Sequence, residues 1–164
     1  MSIVSRPLYR TRQFFGALRP RLRREEIEEA SAVLGPHLTQ LFLTMSPRDQ
    51  RHCVDVYRKL VAAGYDGHDL LTAALIHDAG KGFLAGPPVR LWHRVAYVLL
   101  STAAPRLLRR LAGRVGGLAV LHHHEQTGAG LAAEYGASHT VVSLLRGGGP
   151  EHLAAALRRA DEAA

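Results

Sequence analysis

The sequence predicts an all-α protein folded as one compact domain, and three observations carry that prediction. Apolar residues recur at helical spacing along most of the 164 residues, while strand-like alternation is absent. Residues of the apolar classes make up 47% of the chain, with few aromatics and much Ala and Leu, a composition that suits helices. Gly and Pro signals interrupt the pattern at short intervals, so there is neither a repeat nor a long linker to separate a second domain.

Taken in order, Arg21 to Leu34 reads as a charged helix stopped by Gly35-Pro36. Ser46-Pro47 has the form of a helix start, a capping hydroxyl followed by proline at the first helical position, and the helix it opens runs to Gly64. A further helix spans about His68 to Ala79 and ends at Gly80. Pro87-Pro88 opens another, through about Ser101, read as a packed core helix. Its apolar stretch, Val95 to Ala104, is half of the roughly 20 residues a membrane span needs, although Leu91 to Leu111 also has the form of an interfacial amphipathic helix. Pro105 to Ala112 is short and basic. Leu118 to Glu125 and Gly128 to Tyr135 read as two helices, the latter closed by Gly136. Ser138 to Arg146 precedes a triple-glycine break, and Pro150 to Ala163 is the last.

The formal net charge of +7 is unevenly placed. Residues 1–24 carry seven arginines and no acid, whereas residues 25–164 carry fourteen basic and fourteen acidic groups. The chain therefore divides into an Arg-rich N-terminal arm or helix (1–24) and a balanced helical domain (25–164). Such an arm can touch nucleic acid, anionic lipid or an acidic partner, or remain a solvated helix, and its lack of acids resembles an organelle-targeting segment. No apolar run follows the first basic residues, so no secretory signal is expected, and no stretch is long enough for a transmembrane segment. The single cysteine, Cys53, excludes an internal disulfide and a multi-cysteine zinc site, and a reducing, cytoplasmic location is expected.

The residues that carry chemistry are histidines and aspartates. His-Asp occurs at His68-Asp69 and at His77-Asp78. The first follows a turn sequence and opens a helix, where Asp suits the positive end of the helix dipole; its role is structural. The second ends the apolar run Leu70 to Ile76. Leu70, Ala74 and His77 share one helical face, and Leu71, Leu75 and Asp78 the next, so the pair continues a core-facing stripe. A buried carboxylate at a helix C-terminus needs a cation or several donors, and a metal ion would serve. His52 shares a stripe with Val56 and Leu60, and Asp161 with Leu153 and Leu157. Taken alone, each of these is more often a satisfied histidine or a surface acid than a ligand. Two imidazoles and two carboxylates at the edges of apolar stripes suit one divalent ion such as Mn, Fe, Co, Ni or Zn, with Mg the poorer match to mixed nitrogen and oxygen ligands.

This pattern, a His on one helix (His52), a His-Asp pair on the next (His77-Asp78) and an Asp on a late helix (Asp161), resembles the HD-domain metal-dependent phosphohydrolases over about residues 40 to 164. The run Met45-Ser46-Pro47-Arg48-Asp49-Gln50-Arg51-His52 is similar to that of small stand-alone bacterial members. The resemblance implies an HD-type helical bundle in which His52, His77, Asp78 and Asp161 ligate one divalent metal. Binuclear members add two further histidines. His124 matches the first of them, but none stands near Leu145 to Gly148, which favours a mononuclear site. The Gly-Tyr-Pro signature of the cyclic-dinucleotide branch and the acidic motif of the alarmone-hydrolase branch are absent as well.

The implied activity is metal-assisted hydrolysis of a nucleotide or another small phosphate ester. In this reading Asp78 ligates the metal and orients a water. Lys81, with Arg94 or His124, meets the phosphate, and a protonated His124 assists the leaving alcohol. Lys81 could equally serve only to compensate a helix C-terminus. Of the run His122-His123-His124, only one ring can face inward, because successive helical residues point about 100° apart; His124 is favoured. A rival reading is a catalytically weak HD-fold regulatory or binding module whose arm recruits a partner. A weaker one is nucleic-acid binding through residues 6–24 and Arg106, Arg109, Arg110 and Arg114.

Overall fold

The computed structural model describes residues 21–164, so nearly all of the predicted arm lies outside the described residues. Among the described residues there are eight α-helices and no strands, as the periodicity predicts. They are α1 (Arg24–Leu43), α2 (Pro47–Ala62), α3 (His68–Ile76), α4 (Leu91–Ala103), α5 (Pro105–Ala112), α6 (Gly116–Glu134), α7 (His139–Leu145) and α8 (Glu151–Ala163). Two 3-10 turns, Ala79–Lys81 and Phe83–Ala85, link α3 to α4.

Helix α3 is the axis of the molecule. Every residue from Leu70 to Ile76 is buried, as expected for a helix apolar on all sides. It packs against α1, α2, α7 and α8, and these share one core that includes Leu41, Phe42, Val56, Leu60, Val141 and Leu157. Helices α4 and α5 and the first half of α6 form a lateral layer around Leu108, Leu118 and Leu121.

Local signals set most boundaries. At Ser46 the hydroxyl accepts from Asp49 N at 3.2 Å with Pro47 in the first turn, as predicted. Gly35 adopts φ 67°, which L side chains rarely tolerate, so α1 kinks there and Pro36 restarts the helix. Ser138 caps α7 by accepting from Val141 N and donates to Asp69 Oδ1 at 2.8 Å. His68 Nε2 lies 2.9 Å from Val33 O, in keeping with a structural role for the first His-Asp pair.

Four expectations are corrected. Helix α3 ends at Ile76, so His77 is its cap residue and Asp78 opens the following turn. Pro87-Pro88 precedes the start of α4 at Leu91 by several residues. The two helices expected between Leu118 and Tyr135 are one, because Gly128 sits inside α6 for a packing reason given below rather than as a break. Finally, α4 is not a core helix: His93 is its one buried residue, and its apolar side chains face outward among the described residues.

Candidate metal centre

Three helices bring together three of the four candidate ligands read from the sequence. His52 comes from the second turn of α2, His77 from the end of α3, and Asp161 from the last turn of α8. Their ligand atoms all lie within 4.8 Å of one another. His52 Nε2 is 2.7 Å from Asp161 Oδ1, and His77 Nε2 is 3.4 Å from the same oxygen. The two imidazole rings stand edge to face with centroids 5.2 Å apart. His77 and Asp78 are largely withdrawn from solvent, whereas the Asp161 side chain is 47% exposed, so the cluster opens on one side.

The hydrogen bonding of His77 selects its free atom. Nδ1 lies 2.9 Å from Ala74 O, the geometry of an Nδ1–H donated to the helix carbonyl. Nε2 is buried and has no hydrogen-bond partner. It points toward the carboxylates of Asp161 and Asp78, the latter at 3.6 Å. An orphaned buried nitrogen is costly, and ligation to a cation would satisfy it, with the Ala74 carbonyl orienting the ring from behind.

Charge works against an open lone pair on Nε2: the surroundings favour an imidazolium, so an ion would have to displace the Nε2 proton. Burial works against an imidazolium at His77, yet neighbouring groups hold its pKa well above the ordinary value. Burial also pushes the Cys53 thiol up, which leaves it neutral, so the carboxylates of Asp78 and Asp161 are the anions that matter for His77. Burial raises the Asp161 carboxyl, but its contacts with His52 and His77 overcome this and hold it far below the usual range. The donor set of two imidazoles and a carboxylate, with a second carboxylate beside it, fits a divalent transition ion.

The remaining predicted residues lie beside this cluster, and each has a partner in the fold. Lys81 Nζ meets Asp78 Oδ1 at 2.6 Å, so the cation that buried Asp78 requires is supplied by the chain itself. Burial of Asp78 opposes its ionisation, and Lys81, followed by His77 and His52, outweighs that cost. Asp78 therefore does not by itself demand a metal, and Lys81 does more than compensate a helix end. Arg94 is likewise committed: its Nη2 lies 2.8 Å from both oxygens of Asp49, itself buried. His124 is partly buried, with Nδ1 2.8 Å from Leu121 O, while His123 is exposed. Burial and then Lys81 depress the His124 pKa. The neutral ring is thus favoured, with Nδ1–H on the Leu121 carbonyl and Nε2 as its acceptor atom.

Two contributors were not singled out in the sequence. Asp49 stands three residues after the Ser46 cap, where it reads as a capping acid; it does accept from Ser46 Oγ at 2.7 Å, but it also anchors Arg94. Gly128 is the other. A Cβ on Gly80 would overlap the His124 carbonyl oxygen and lie 2.7 Å from Gly128 N, and one on Gly128 would lie 2.9 Å from Gly80 N. The two glycines let α6 rest backbone to backbone on the Asp78–Lys81 turn, which brings His124 to the site. Nothing local in either segment signals that pairing.

Comparison of the chain with protein families, curated proteins and solved structures returns no match.

Proposed function

We propose that the chain is a metal-dependent phosphohydrolase of HD type, acting on a nucleotide or another small phosphate ester. The observation that carries this reading is the convergence of His52, His77 and Asp161 around the unpartnered Nε2 of His77. His52, His77 and Asp161 would hold one divalent ion, with Asp78 as the fourth ligand. A bound ion would polarise a phosphoryl oxygen and lower the pKa of a coordinated water.

The chain's own groups have separate tasks in this scheme. The Ala74 carbonyl accepts from His77 Nδ1–H, so Nε2 is the atom that would give up its proton to an ion. Lys81 keeps Asp78 ionised in a buried position. The neutral His124 ring offers Nε2 as a proton acceptor toward a nucleophilic water, and the half-exposed Asp161 leaves one side of the cluster open to substrate. Helix α6 and the glycine contact with the Asp78–Lys81 turn hold these groups together.

One observation favours the rival, a catalytically weak binding module. Both cations expected to meet a phosphate, Lys81 and Arg94, are already paired with carboxylates. The two readings separate experimentally. Elemental analysis of the purified chain should find about one equivalent of metal, as for a preformed ligand set. A phosphate-release screen with Mn, Fe, Co, Ni, Zn and Mg should then find activity. Asp161→Ala should lose the metal and Asp78→Ala the activity, with helical circular dichroism retained in both. Bound metal without phosphate release selects the binding module, and so does the absence of bound metal with every one of these ions.

A further inference from the structure

Helix α4 is arranged inside out. It rests on α6 through His93, whose ring lies against the backbone of Gly117, where a Cβ would collide with it. Its outward face carries Leu91, Trp92, Val95, Val98 and Leu99, which are between 52% and 66% exposed among the described residues. These recur at i, i+4 and i+7 or i+8 and so form one stripe, adjoining a shallow groove that Arg90 and Ala96 complete. Leu107 on α5 and Phe83 and Leu84 before α4 are exposed as well. An exposed apolar stripe of this kind on one helix marks an interaction site.

Charge selects the occupant. No acidic residue occurs between positions 79 and 124, while Arg90, Arg106, Arg109, Arg110 and Arg114 are all exposed. Residues 1–20 carry four more arginines and no acid. A second copy of this face would set like charge against like, and so would those first residues. A nucleic acid would match the charge, but its interface is polar and would leave a ridge of Leu and Val uncovered. An anionic bilayer matches both features. Acyl chains take the aliphatic ridge, a tryptophan suits the headgroup boundary, and arginines meet the lipid phosphates and carboxylates.

We propose that the α4–α5 face docks on an anionic membrane surface, lying in the interface without crossing it. No helix among the described residues is long and apolar enough to cross a membrane. The proposal does not depend on the hydrolase reading, since the face acts whether or not the His52 cluster holds metal.

The test uses the full chain with vesicles of phosphatidylcholine, alone or with about one-third phosphatidylserine. Trp92 is the sole tryptophan, so its fluorescence reports this face and no other. With the anionic vesicles its emission should shift to the blue and be quenched by brominated acyl chains; without phosphatidylserine the response should be weak. Replacing Arg106, Arg109 and Arg110 together by Gln should weaken association on the order of 100-fold, from the usual contribution of each arginine near such a surface. Val95→Asn with Leu99→Asn should abolish the emission change at unaltered charge and unaltered helical circular dichroism, because both side chains are exposed. Three results would overturn the proposal: vesicle binding with Trp92 emission unchanged, an emission shift that follows protein concentration without lipid, or a response to single-stranded RNA and none to vesicles.

Discussion

The contact between Gly80 and Gly128 can be tested by adding one carbon atom. In Gly80→Ala the new Cβ would overlap the His124 carbonyl oxygen and lie 2.7 Å from Gly128 N. Contacts to carbon relax only at about 3.5–4.0 Å, so α6 and the Asp78–Lys81 turn must part by well over an ångström. Both partners are backbone, so no side chain can rotate away. Overpacking of a tight site costs about 1–3 kcal/mol, and rigid neighbours on both sides place this substitution near 3 kcal/mol, or roughly 6–12 °C in Tm for a domain of this size. Gly130, two residues further along α6, would have nothing within 4 Å of an added Cβ, and Gly130→Ala should gain about 0.5–1 kcal/mol from helix propensity. Chemical denaturation followed by circular dichroism measures both. If Gly80→Ala proves as stable as the parent, or Gly130→Ala is equally damaging, the backbone contact is not what holds α6 on the site.

Other perturbations probe separate features. Glu26 is buried and accepts from Arg51 and Arg58 at 2.6–2.7 Å; Arg51, opposed by burial and aided by Arg23 N and Arg58, holds its carboxyl far below the usual range. A depressed carboxyl stabilises the fold above the ordinary glutamate pKa of about 4.3 and loses that contribution as pH falls. Glu26→Gln should therefore cost about 2 kcal/mol at neutral pH, a figure kept low because Arg58 is partly solvated, and its denaturation midpoint should change less than the parent's on acidification. If the His52 cluster holds a divalent ion, metal at about 100 times its Kd should stabilise the chain by about 2.7 kcal/mol in thermal melts, an increment that chelator reverses and Asp161→Ala lacks. Ser138→Ala removes the cap of α7 and the bond to Asp69 and should cost about 1 kcal/mol in denaturant titrations; a neutral result would mean that water replaces both bonds.

Much of the fold was legible in the sequence because its determinants are local. The Ser46-Pro47 cap, the Gly136 stop and the all-apolar run of α3 act within one or two turns and stand where their residues imply, whereas the stop read at Gly35-Pro36 is only a kink, beyond which the helix continues to Leu43. The inward placement of His77 and Asp78, and the position of His52 and Asp161 at the margin of the core, were also readable, since each continues an apolar stripe whose burial the hydrophobic effect requires.

Tertiary structure decided what depends on distance between segments. Periodicity cannot reveal that Lys81 turns back to Asp78, or that Arg94 crosses to Asp49, because a long cationic side chain reaches whichever carboxylate folding brings near. A glycine inside an apolar stretch reads as a break until another backbone is found against it, as at Gly128. An amphipathic helix likewise announces that its apolar face will be covered without saying by what. On α4 that face has no cover among the described residues, and Arg90 beside it, with the exposed arginines of α5, is the ground for proposing an anionic surface. The sequence by itself thus determined the helices and the core-edge placement of the candidate ligand residues, through interactions a few residues in range. Packing determined which of those residues meet, which cations are already spoken for, and which apolar surface is left outside.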